Sequence, residues 1–315
     1  MTLQVGPVTV EVPATSANLG PGFDSLGLAL ELRDRYTAEV VPARAPGVAD
    51  AVPEVRVEVA GEGAGGGVGQ GADNLVARAF AAALAHLGEQ EPAELRLRCQ
   101  NTIPHGRGLG SSSAAVVGGI ALARALSDRG GRLDDAAVIA LASELEGHPD
   151  NAAPAVLGGA TIAWTADGVG RAVRFGVDSA VVALLAIPVT PLATSTARGL
   201  LPDAVPMGDA VFNVARAALL VHALERAPEL LVPGTADRLH QDRREQAYPH
   251  SHALVAGLRA AGCAAAISGA GPSVIVLGPA DAAERAADTA AALVSDGWSI
   301  RRIEVAAQGV RTLVP

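Results

Sequence analysis

One segment of the chain concentrates glycines and hydroxyl side chains, and it reads Pro104-His105-Gly106-Arg107-Gly108-Leu109-Gly110-Ser111-Ser112-Ser113-Ala114. A helix of small residues, 114–126, is predicted to follow it. Glycines allow a tight turn and a close approach to a ligand. The first amides of a helix lack internal partners and attract anions. The spacing therefore predicts a phosphate-binding loop, in which the serines cap the helix, contact phosphate oxygens or hold a metal. An ordinary turn between small-residue elements is the alternative for this segment alone.

The chain contains no lysine. A Walker-type phosphate loop requires a lysine after its last glycine. A protein kinase requires a strand lysine on the phosphates, and a Schiff base requires a lysine amine. All three classes are excluded. A nucleotide bound by this loop would be held by backbone amides, hydroxyls, a metal and arginine.

The composition limits the class of protein further. A chain of 315 residues favours two domains. The net charge of -9 argues against a nucleic-acid surface. The longest apolar run, 180–189, is too short to span a membrane, and no secretory leader is visible. Cys99 and Cys263 have no metal-ligand spacing and are expected to be free thiols. We therefore expect a soluble cytoplasmic protein that binds neither nucleic acid nor a membrane.

Two further segments carry polar side chains at positions where chemistry is possible. Pro13 to Asp24 follows a strand and offers Asn18 and Asp24 to a polar substrate; a turn held by Asx hydrogen bonds is the alternative. Glu144 to Asn151 places acidic residues near a helix end, against the dipole preference. A magnesium carboxylate explains that placement, and a solvated helix end is the alternative. A glycine turn at 269–272, between two predicted strands, completes the set and is a weak signal alone.

Residue patterning predicts an α+β protein, because strands and helices are mixed without regular alternation. The predicted strands are 8–12, 26–32, 36–41, 55–60, 95–101, 160–165, 180–188, 264–268, 274–277 and 300–305. The predicted helices are 74–87, 114–126, 136–145, 209–226, 251–261 and 282–296. Residues 61–71 are predicted to be a mobile loop. The predicted domains are 1–170, which contains the phosphate loop, and 171–315.

These four segments together resemble the GHMP kinase superfamily and, within it, the homoserine kinases. Pro104 to Ser112 matches the superfamily's Pro-x-x-x-Gly-Leu-Gly-Ser-Ser loop. Pro13 to Asp24 and Glu146 to Asn151 are similar to segments of the homoserine kinases in particular. The resemblance implies a two-domain α+β fold with the active site in the interdomain cleft, and a homodimer.

The resemblance also implies roles for individual residues. The nucleotide would be bound by residues of the phosphate loop and one asparagine: Pro104, His105, Gly106, Arg107, Gly108, Leu109, Gly110, Ser111, Ser112, Ser113, Ala114 and Asn74. Magnesium would be held by Glu146 and Ser112, with Glu144 as the rival carboxylate. The substrate would be bound by Asn18, Asp24, His148, Asn151, Thr194, Arg198 and Arg244. The catalytic residues would be Asn18, Asp24, Asn151 and Arg198.

The chain departs from the family pattern at two places. His105-Gly106-Arg107 fills the variable part of the phosphate loop, which such a loop tolerates. Asp242-Arg243 replaces a Pro-Tyr pair, so Arg243 competes with Arg244 for the substrate role. The spacing to Pro249 favours Arg244. An arginine suits a substrate carboxylate, which it binds in bidentate fashion.

The activity implied by the resemblance is ATP- and Mg²⁺-dependent phosphorylation of the L-homoserine hydroxyl, a step towards threonine. We expect no strong general base, because Asn151 stands where relatives in the superfamily carry an aspartate. Kinases of other small alcohols (mevalonate, shikimate or a sugar) and a non-catalytic nucleotide-binding sensor are the alternatives. A dinucleotide-binding protein is excluded, since no fingerprint glycine loop follows the first strand.

Overall fold

The computed structural model of the chain describes residues 3–4, 6–41 and 54–313, and its strands form two sheets. The larger sheet contains β1 (Val8–Asn18), β2 (Gly22–Val41), β3 (Glu54–Gly61), β4 (Glu94–Asn101), β5 (Ala160–Ala166) and β6 (Val169–Phe175). The smaller sheet contains β7 (Val182–Pro188), β8 (Ala264–Ile267), β9 (Val274–Gly278) and β10 (Trp298–Ile303). A last strand, β11 (Arg311–Leu313), returns to the larger sheet and pairs with β1. The predicted α+β class is confirmed.

Helices connect the strands and cover both sheets. They are α1 (Leu75–Leu87), α2 (Ser111–Leu126), α3 (Asp135–Glu146), α4 (Ala152–Leu157), α5 (Thr194–Arg198), α6 (Met207–Arg226), α7 (Leu231–Gly234), α8 (Pro249–Ala260) and α9 (Ala280–Leu293). Short 3-10 turns lie at Gly130–Arg132, Pro228–Leu230 and Asp242–Ala247. Helix α1 begins at the capping side chain of Asn74 and ends at Gly88, as a capped amphipathic helix should.

The larger sheet is organised around β2. Its strand order is β11-β1-β2-β4-β3, and β5 and β6 extend it from the first half of β2. Only the β3–β4 pair in the described sheet is parallel. Helix α2 packs on β1, α1 and α3, and their apolar faces form the main core with the sheet. The smaller sheet, ordered β10-β7-β9-β8, is antiparallel and packs on α8 and α9.

Several predicted boundaries are wrong, and burial of polar groups explains one of them. The predicted strands 26–32 and 36–41 are parts of the single strand β2. Asp34 interrupts the apolar pattern, yet it is fully buried, where it accepts hydrogen bonds from the amides of Thr102 and Ile103 and the Tyr36 hydroxyl. β1 also continues through the motif to Asn18, where a loop was expected. The short elements β6, β11, α4, α5 and α7 were not predicted.

The proposed division after residue 170 does not follow the sheets. That position cuts β6, whose seven residues all pair with β5. A boundary between Phe175 and Val182 keeps both sheets whole, although β11 belongs to the first sheet. Residues 1–2, 5, 42–53 and 314–315 of the two proposed domains lie outside the described residues.

Helix α6 is the one described helix that is long and apolar enough to cross a membrane, with 20 residues and a mean hydropathy of 1.3. Its inner face nevertheless belongs to the fold, because Leu220 and Leu224 lie in the main core. Asn213 is buried on the same helix and donates to Asp237 Oδ1 at 2.8 Å and to the Pro21 carbonyl at 3.3 Å. We therefore describe α6 as a helix that packs on the fold through one face, while Met207, Val211 and Val214 are exposed.

Candidate active site

The glycine- and serine-rich segment forms a loop that runs directly into α2. The helix begins at Ser111, three residues before the predicted start, so the serines occupy its first turn. Gly110 is the N-cap residue with φ of 69°, and no side chain caps the helix, so capping is not the role of the serines among the three left open. A Cβ at Gly110 would collide with Thr15, which makes glycine necessary there. The first-turn amides of a 16-residue helix are thereby left free of internal partners.

Glu146 is the carboxylate that faces this helix start. It is the last residue of α3, and its two carboxylate oxygens accept hydrogen bonds from the hydroxyls of Ser112 and Ser113. Glu144 is exposed and does not line the cleft. No group of three or more acidic, histidine or cysteine ligands occurs among the described residues. One carboxylate with neighbouring hydroxyls nevertheless fits Mg²⁺, which binds through one or two carboxylates and substrate phosphates.

Asn18 joins the N-terminal motif to the glycine turn after β8. Its side-chain amide donates to the Gly269 carbonyl at 2.8 Å, and its oxygen accepts from the Asp24 amide at 2.9 Å. Asn18, Leu19 and Asp24 all have positive φ, which is a costly conformation for residues with side chains. The motif is therefore held in a defined strained turn that presents Asp24 to the cleft.

Charged side chains from three elements meet beside this turn. Arg198, at the end of α5, forms a bidentate ion pair with Asp24, with N–O distances of 2.7 and 3.0 Å. The hydrogen bond to Asp24 raises the pKa of Arg198. Arg244 is only 1% exposed, and burial lowers the pKa of its guanidinium. Arg243 is 44% exposed on the surface near Asp209, so Arg244 is the arginine that faces the cleft.

His148, Asp150 and Asn151 form the opposite wall. His148 Nδ1 lies 2.6 Å from Asp150 Oδ1, and this hydrogen bond raises the pKa of the imidazole. Asp150 is 2% exposed, and its Oδ1 also accepts from the Asn151 side chain at 3.4 Å. Asn151 accepts a hydrogen bond from the Thr15 hydroxyl at 2.8 Å, which ties this wall to the N-terminal motif.

A single cavity of about 310 Å³ gathers most of the predicted residues. The cavity is lined by these residues that the sequence analysis predicted for the site: Asn18, Asp24, Gly106, Gly108, Leu109, Gly110, Ser111, Ser112, Ser113, Glu146, His148, Asn151, Thr194, Arg198 and Arg244. Phe23, Asp150, Leu192, Ala193, Gly269 and Ala270 also line it and were not predicted as site residues. Phe23 and Asp150 lay within the motifs that the sequence singled out, whereas Leu192 and Ala193 carried no signal.

Pro104, Arg107 and Ala114 do not line this cavity. The Arg107 side chain instead donates to the carbonyls of Pro188 and Val189, at the end of β7. The amide of Leu192 donates to the Gly106 carbonyl at 2.8 Å. Ser268 Oγ lies 2.7 Å from the Gly108 carbonyl. The Ser273 amide also donates to the Arg107 carbonyl at 3.4 Å, so the phosphate loop is attached to the second half of the chain at several points.

A second cavity of about 310 Å³ adjoins the first and shares Ser111 and Ser112 with it. Asn74 and His105, predicted at the nucleotide, line this second cavity. Both ends of the Asn74 side chain are used in capping α1, since it accepts from the Val76 amide and donates to the Gly69 carbonyl. Asn101 donates to the Glu62 carbonyl at 3.0 Å, and its own buried side-chain oxygen has no hydrogen-bond partner in the described structure.

The family models agree with this geometry. The GHMP kinases N terminal domain matches residues 74–159, which include the phosphate loop and Glu146. The GHMP kinases C terminal domain matches residues 215–296, which include Arg244 and the glycine turn. The fold and the cleft together define a GHMP kinase.

Similarity to known proteins identifies the family within the GHMP kinases. A homoserine kinase from Streptomyces avermitilis is 48% identical over 307 residues, covering 97% of this chain and 95% of its own length. One from Clavibacter michiganensis is 47% identical over 305 residues, covering 96% and 92%. The crystal structure of a homoserine kinase from Cytophaga hutchinsonii has a TM-score of 0.83 at 25% identity, covering 98% and 97%. The chain belongs to the homoserine kinase family.

Proposed function

We propose that this enzyme transfers the γ-phosphoryl group of ATP to the side-chain hydroxyl of L-homoserine in the larger cavity, giving O-phospho-L-homoserine. The observation that carries the proposal is the lining of that one cavity. A helix start suited to phosphate lies on one side, and an acid with two arginines suited to an amino acid lies on the other. The homoserine kinases of Streptomyces and Clavibacter support the same reading.

The amino acid end of the substrate is matched by charge. Asp24 is an acceptor for the ammonium group, and Arg198 and Arg244 are donors for the carboxylate. Thr194 lies one helical turn before Arg198 on α5 and also lines the cavity. His148, with its raised pKa, adds positive character to the opposite wall. These groups fix the substrate so that its hydroxyl points to the phosphate loop, because positioning is the main requirement of phosphoryl transfer.

The phosphate end is bound by backbone and hydroxyl groups. The free amides at the start of α2 and the hydroxyls of Ser111, Ser112 and Ser113 surround the position of the transferred phosphate. Glu146 and Ser112 would hold Mg²⁺, which neutralises the charge that develops on the phosphate oxygens. All of these phosphate-binding groups are backbone amides, hydroxyls or a carboxylate, so the site needs no lysine, and the chain contains none.

The base of ATP fits the second cavity, which joins the first at Ser111 and Ser112. Asn101 is the polar group there with unused capacity. Its amide nitrogen must face the Glu62 carbonyl, since two oxygens cannot share a hydrogen bond, so its oxygen is left as a free acceptor. The amino group of adenine is a matching donor, and a buried acceptor gains by being paired.

No side chain in the cleft is placed as a strong general base. Asn151 cannot take a proton, and the carboxylate of Asp150 is buried and bonded to His148. We propose that the hydroxyl proton leaves late and passes to the phosphate. The rest of the proposal follows the family resemblance: a cytoplasmic homodimer with the active site between two domains. Light scattering of the purified protein tests the dimer.

The test of function is an ADP-release assay with Mg²⁺ and ATP, in which L-homoserine, L-serine, mevalonate and shikimate are offered separately. We expect turnover with L-homoserine at roughly tenfold or greater preference, since a misplaced hydroxyl loses the aligned geometry. Preference for mevalonate or shikimate would transfer the assignment to another small-alcohol kinase. Nucleotide binding without any turnover would indicate a sensor of the same fold.

A further inference from the structure

Arg244 is a buried cation without an acidic partner. The residue is almost completely excluded from solvent, and it forms no ion pair with a carboxylate in the described part of the chain. Nε donates to the Ala197 carbonyl at 3.0 Å, and one Nη lies 3.3 Å from His240 Nδ1. An arginine has five N–H donors. At least two of them are thus directed into the protein, and Tyr248 also lies beside the guanidinium. Arg244 nevertheless lines the cleft.

The tautomer of His240 follows from its neighbours. The ring is fully buried, and Nε2 lies 2.8 Å from the Gly20 carbonyl. A carbonyl oxygen only accepts hydrogen bonds, so Nε2 carries the proton. Burial lowers the pKa of His240 and keeps the ring neutral. Nδ1 is therefore unprotonated, and it is the acceptor that Arg244 requires.

Asp237 lies near this pair but does not replace the histidine as the partner of Arg244. Its oxygens accept the Asn213 side chain and the backbone amides of Leu239, His240 and Gln241. It therefore fixes the segment that carries His240. The carboxylate is 3.8 Å from Nε2, the nitrogen that already donates to Gly20.

Phe23 packs against the same group. Its ring centroid is 5.1 Å from that of His240 and 5.1 Å from the guanidinium carbon of Arg244. The guanidinium carbon of Arg198 is 5.8 Å from the same ring. An aromatic face attracts a cation and restricts where its plane can lie. Phe23 thus contacts both arginines, whereas His240 accepts a hydrogen bond from Arg244 alone.

We propose that His240 is a positioning residue for the substrate carboxylate: the Gly20 carbonyl fixes its ring through Nε2, and its neutral Nδ1 holds the guanidinium of Arg244 so that free N–H groups face the cleft. His240 does not touch the substrate. The inference rests on the proposed function in one respect, namely that the cleft binds a carboxylate-bearing amino acid. It adds a residue that neither the motifs nor the cavity lining identified.

Two substitutions separate the two nitrogens of the ring. His240→Asn places a side-chain oxygen near the position of Nδ1, and so it keeps an acceptor for Arg244 while losing the bond to Gly20. His240→Gln reaches Gly20 with its amide nitrogen and removes the acceptor beside Arg244. Calorimetric titration of each variant with L-homoserine, and with 3-amino-1-propanol, which lacks the carboxylate, measures binding without turnover.

We expect His240→Gln to weaken L-homoserine binding by roughly tenfold, the size of one hydrogen bond to a charged group. His240→Asn should weaken it by less, and 3-amino-1-propanol should bind all three proteins alike. Equal losses in both variants, or equal losses for both ligands, would show a merely structural residue and overturn the proposal. Matching thermal unfolding curves are the folding control. L-homoserine binding without ADP release would contradict the proposed function alone, and absence of binding to the unsubstituted protein would contradict both.

Discussion

Two glutamates on α3 stand two positions apart, and their surroundings differ. Side chains two residues apart on a helix point in different directions. Glu146 contacts the hydroxyls at the start of α2, whereas Glu144 is exposed. The sequence could nominate both residues but could not choose between them, because the choice depends on the angle at which α3 meets the phosphate loop.

The first prediction uses this pair as a matched test. Glu146→Gln should lower kcat by roughly 100-fold and raise the Mg²⁺ concentration needed for half-maximal rate, because it removes the carboxylate beside the phosphates. Glu144→Gln should change kcat by no more than about twofold, as surface substitutions usually do. Steady-state rates over a Mg²⁺ titration measure both. Equal losses in the two variants would remove Glu146 from the metal site.

The second prediction concerns the pair formed by His148 and Asp150. The hydrogen bond to Asp150 raises the pKa of His148 above the ordinary value of 6.5. The stabilisation of the folded protein by this His148–Asp150 pair is therefore complete below pH 6.5, and it is lost as the pH rises through the pKa that His148 has in the folded protein. Asp150→Asn should lower the His148 pKa, as followed by NMR titration of the imidazole.

Turnover of Asp150→Asn tests the proton assignment at the same time. We expect the variant to keep measurable kcat, since Asp150 is engaged with His148 and is not proposed as the base. Complete loss of turnover with both substrates still bound would assign the general base to Asp150. An unchanged His148 pKa would contradict the charge pairing.

Asn18 shows the limit of reading roles from residue types. An asparagine in a glycine-rich turn suggested a substrate contact, and the residue does line the cleft. Both ends of its amide are nevertheless used within the protein, by Gly269 and by the Asp24 amide. The partner carbonyl is 251 residues away in the chain, so no local pattern could have indicated this bond.

At the scale of elements, α2 approaches α1 very closely. A Cβ at Gly119 of α2 would lie 2.8 Å from Ala79 Cβ and 2.9 Å from the Phe80 amide nitrogen, and it would collide with the Val76 carbonyl. The glycine is thus required by the helix crossing that places the start of α2 beside Glu146. The apolar periodicity predicted both helices, although α2 begins three residues earlier than predicted. The distance between the two helices was not encoded in either helix alone.

The third prediction follows from that contact. Gly119→Ala should lower the free energy of unfolding by about 1–3 kcal/mol, the range for overpacking a tight interface. Gly131→Ala is the control, because nothing lies within 4 Å of the Cβ it would add. Denaturant unfolding measures both variants. A loss in Gly131→Ala as large as that in Gly119→Ala would point to a general effect of removing glycine.

Strand β2 explains why element boundaries were harder to predict than element types. The sequence predicted the strands 26–32 and 36–41, and Asp34 lies between them. The structure buries Asp34 because the amides of Thr102 and Ile103, just before the phosphate loop, need an acceptor. Burial raises the pKa of this carboxyl, and these hydrogen bonds oppose the rise. A polar residue that serves a distant segment breaks the local pattern without breaking the strand.

At the scale of the whole molecule, β11 closes the larger sheet through a buried glutamate. Glu11 on β1 binds Arg35 of β2 at 2.6 Å and Arg311 of β11 at 2.7 Å. Burial alone would raise the pKa of Glu11, but the two arginines outweigh it and hold the pKa below the ordinary 4.5. The pairing of β11 could not be predicted, since three residues are too few for a pattern.

The fourth prediction is a pH-dependent loss of this closure. The stabilisation by Glu11 is present above pH 4.5 and is lost as the pH falls through the folded pKa. Glu11→Gln should therefore cost about 1 kcal/mol at neutral pH, and the difference should shrink in acid. Glu58→Gln is the control, because Glu58 pairs with Arg98 on the surface and its side chain is 78% exposed. This substitution should leave the free energy of unfolding unchanged. Urea unfolding at several pH values measures the difference in unfolding free energy between Glu11→Gln and the unsubstituted protein. A difference that does not change with pH would show that the ionised Glu11 carboxylate is not the source of this stabilisation.

The attachment of the phosphate loop to the second half of the chain links ligand binding to the cohesion of the molecule. Arg107, Gly106 and Gly108 bond to segments beside β7 and β8, so the loop keeps its present shape only while the two sheets stay together. A nucleotide that binds this shape opposes their separation by mass action. Hydrogen exchange should consequently slow in strands of the smaller sheet that no nucleotide touches.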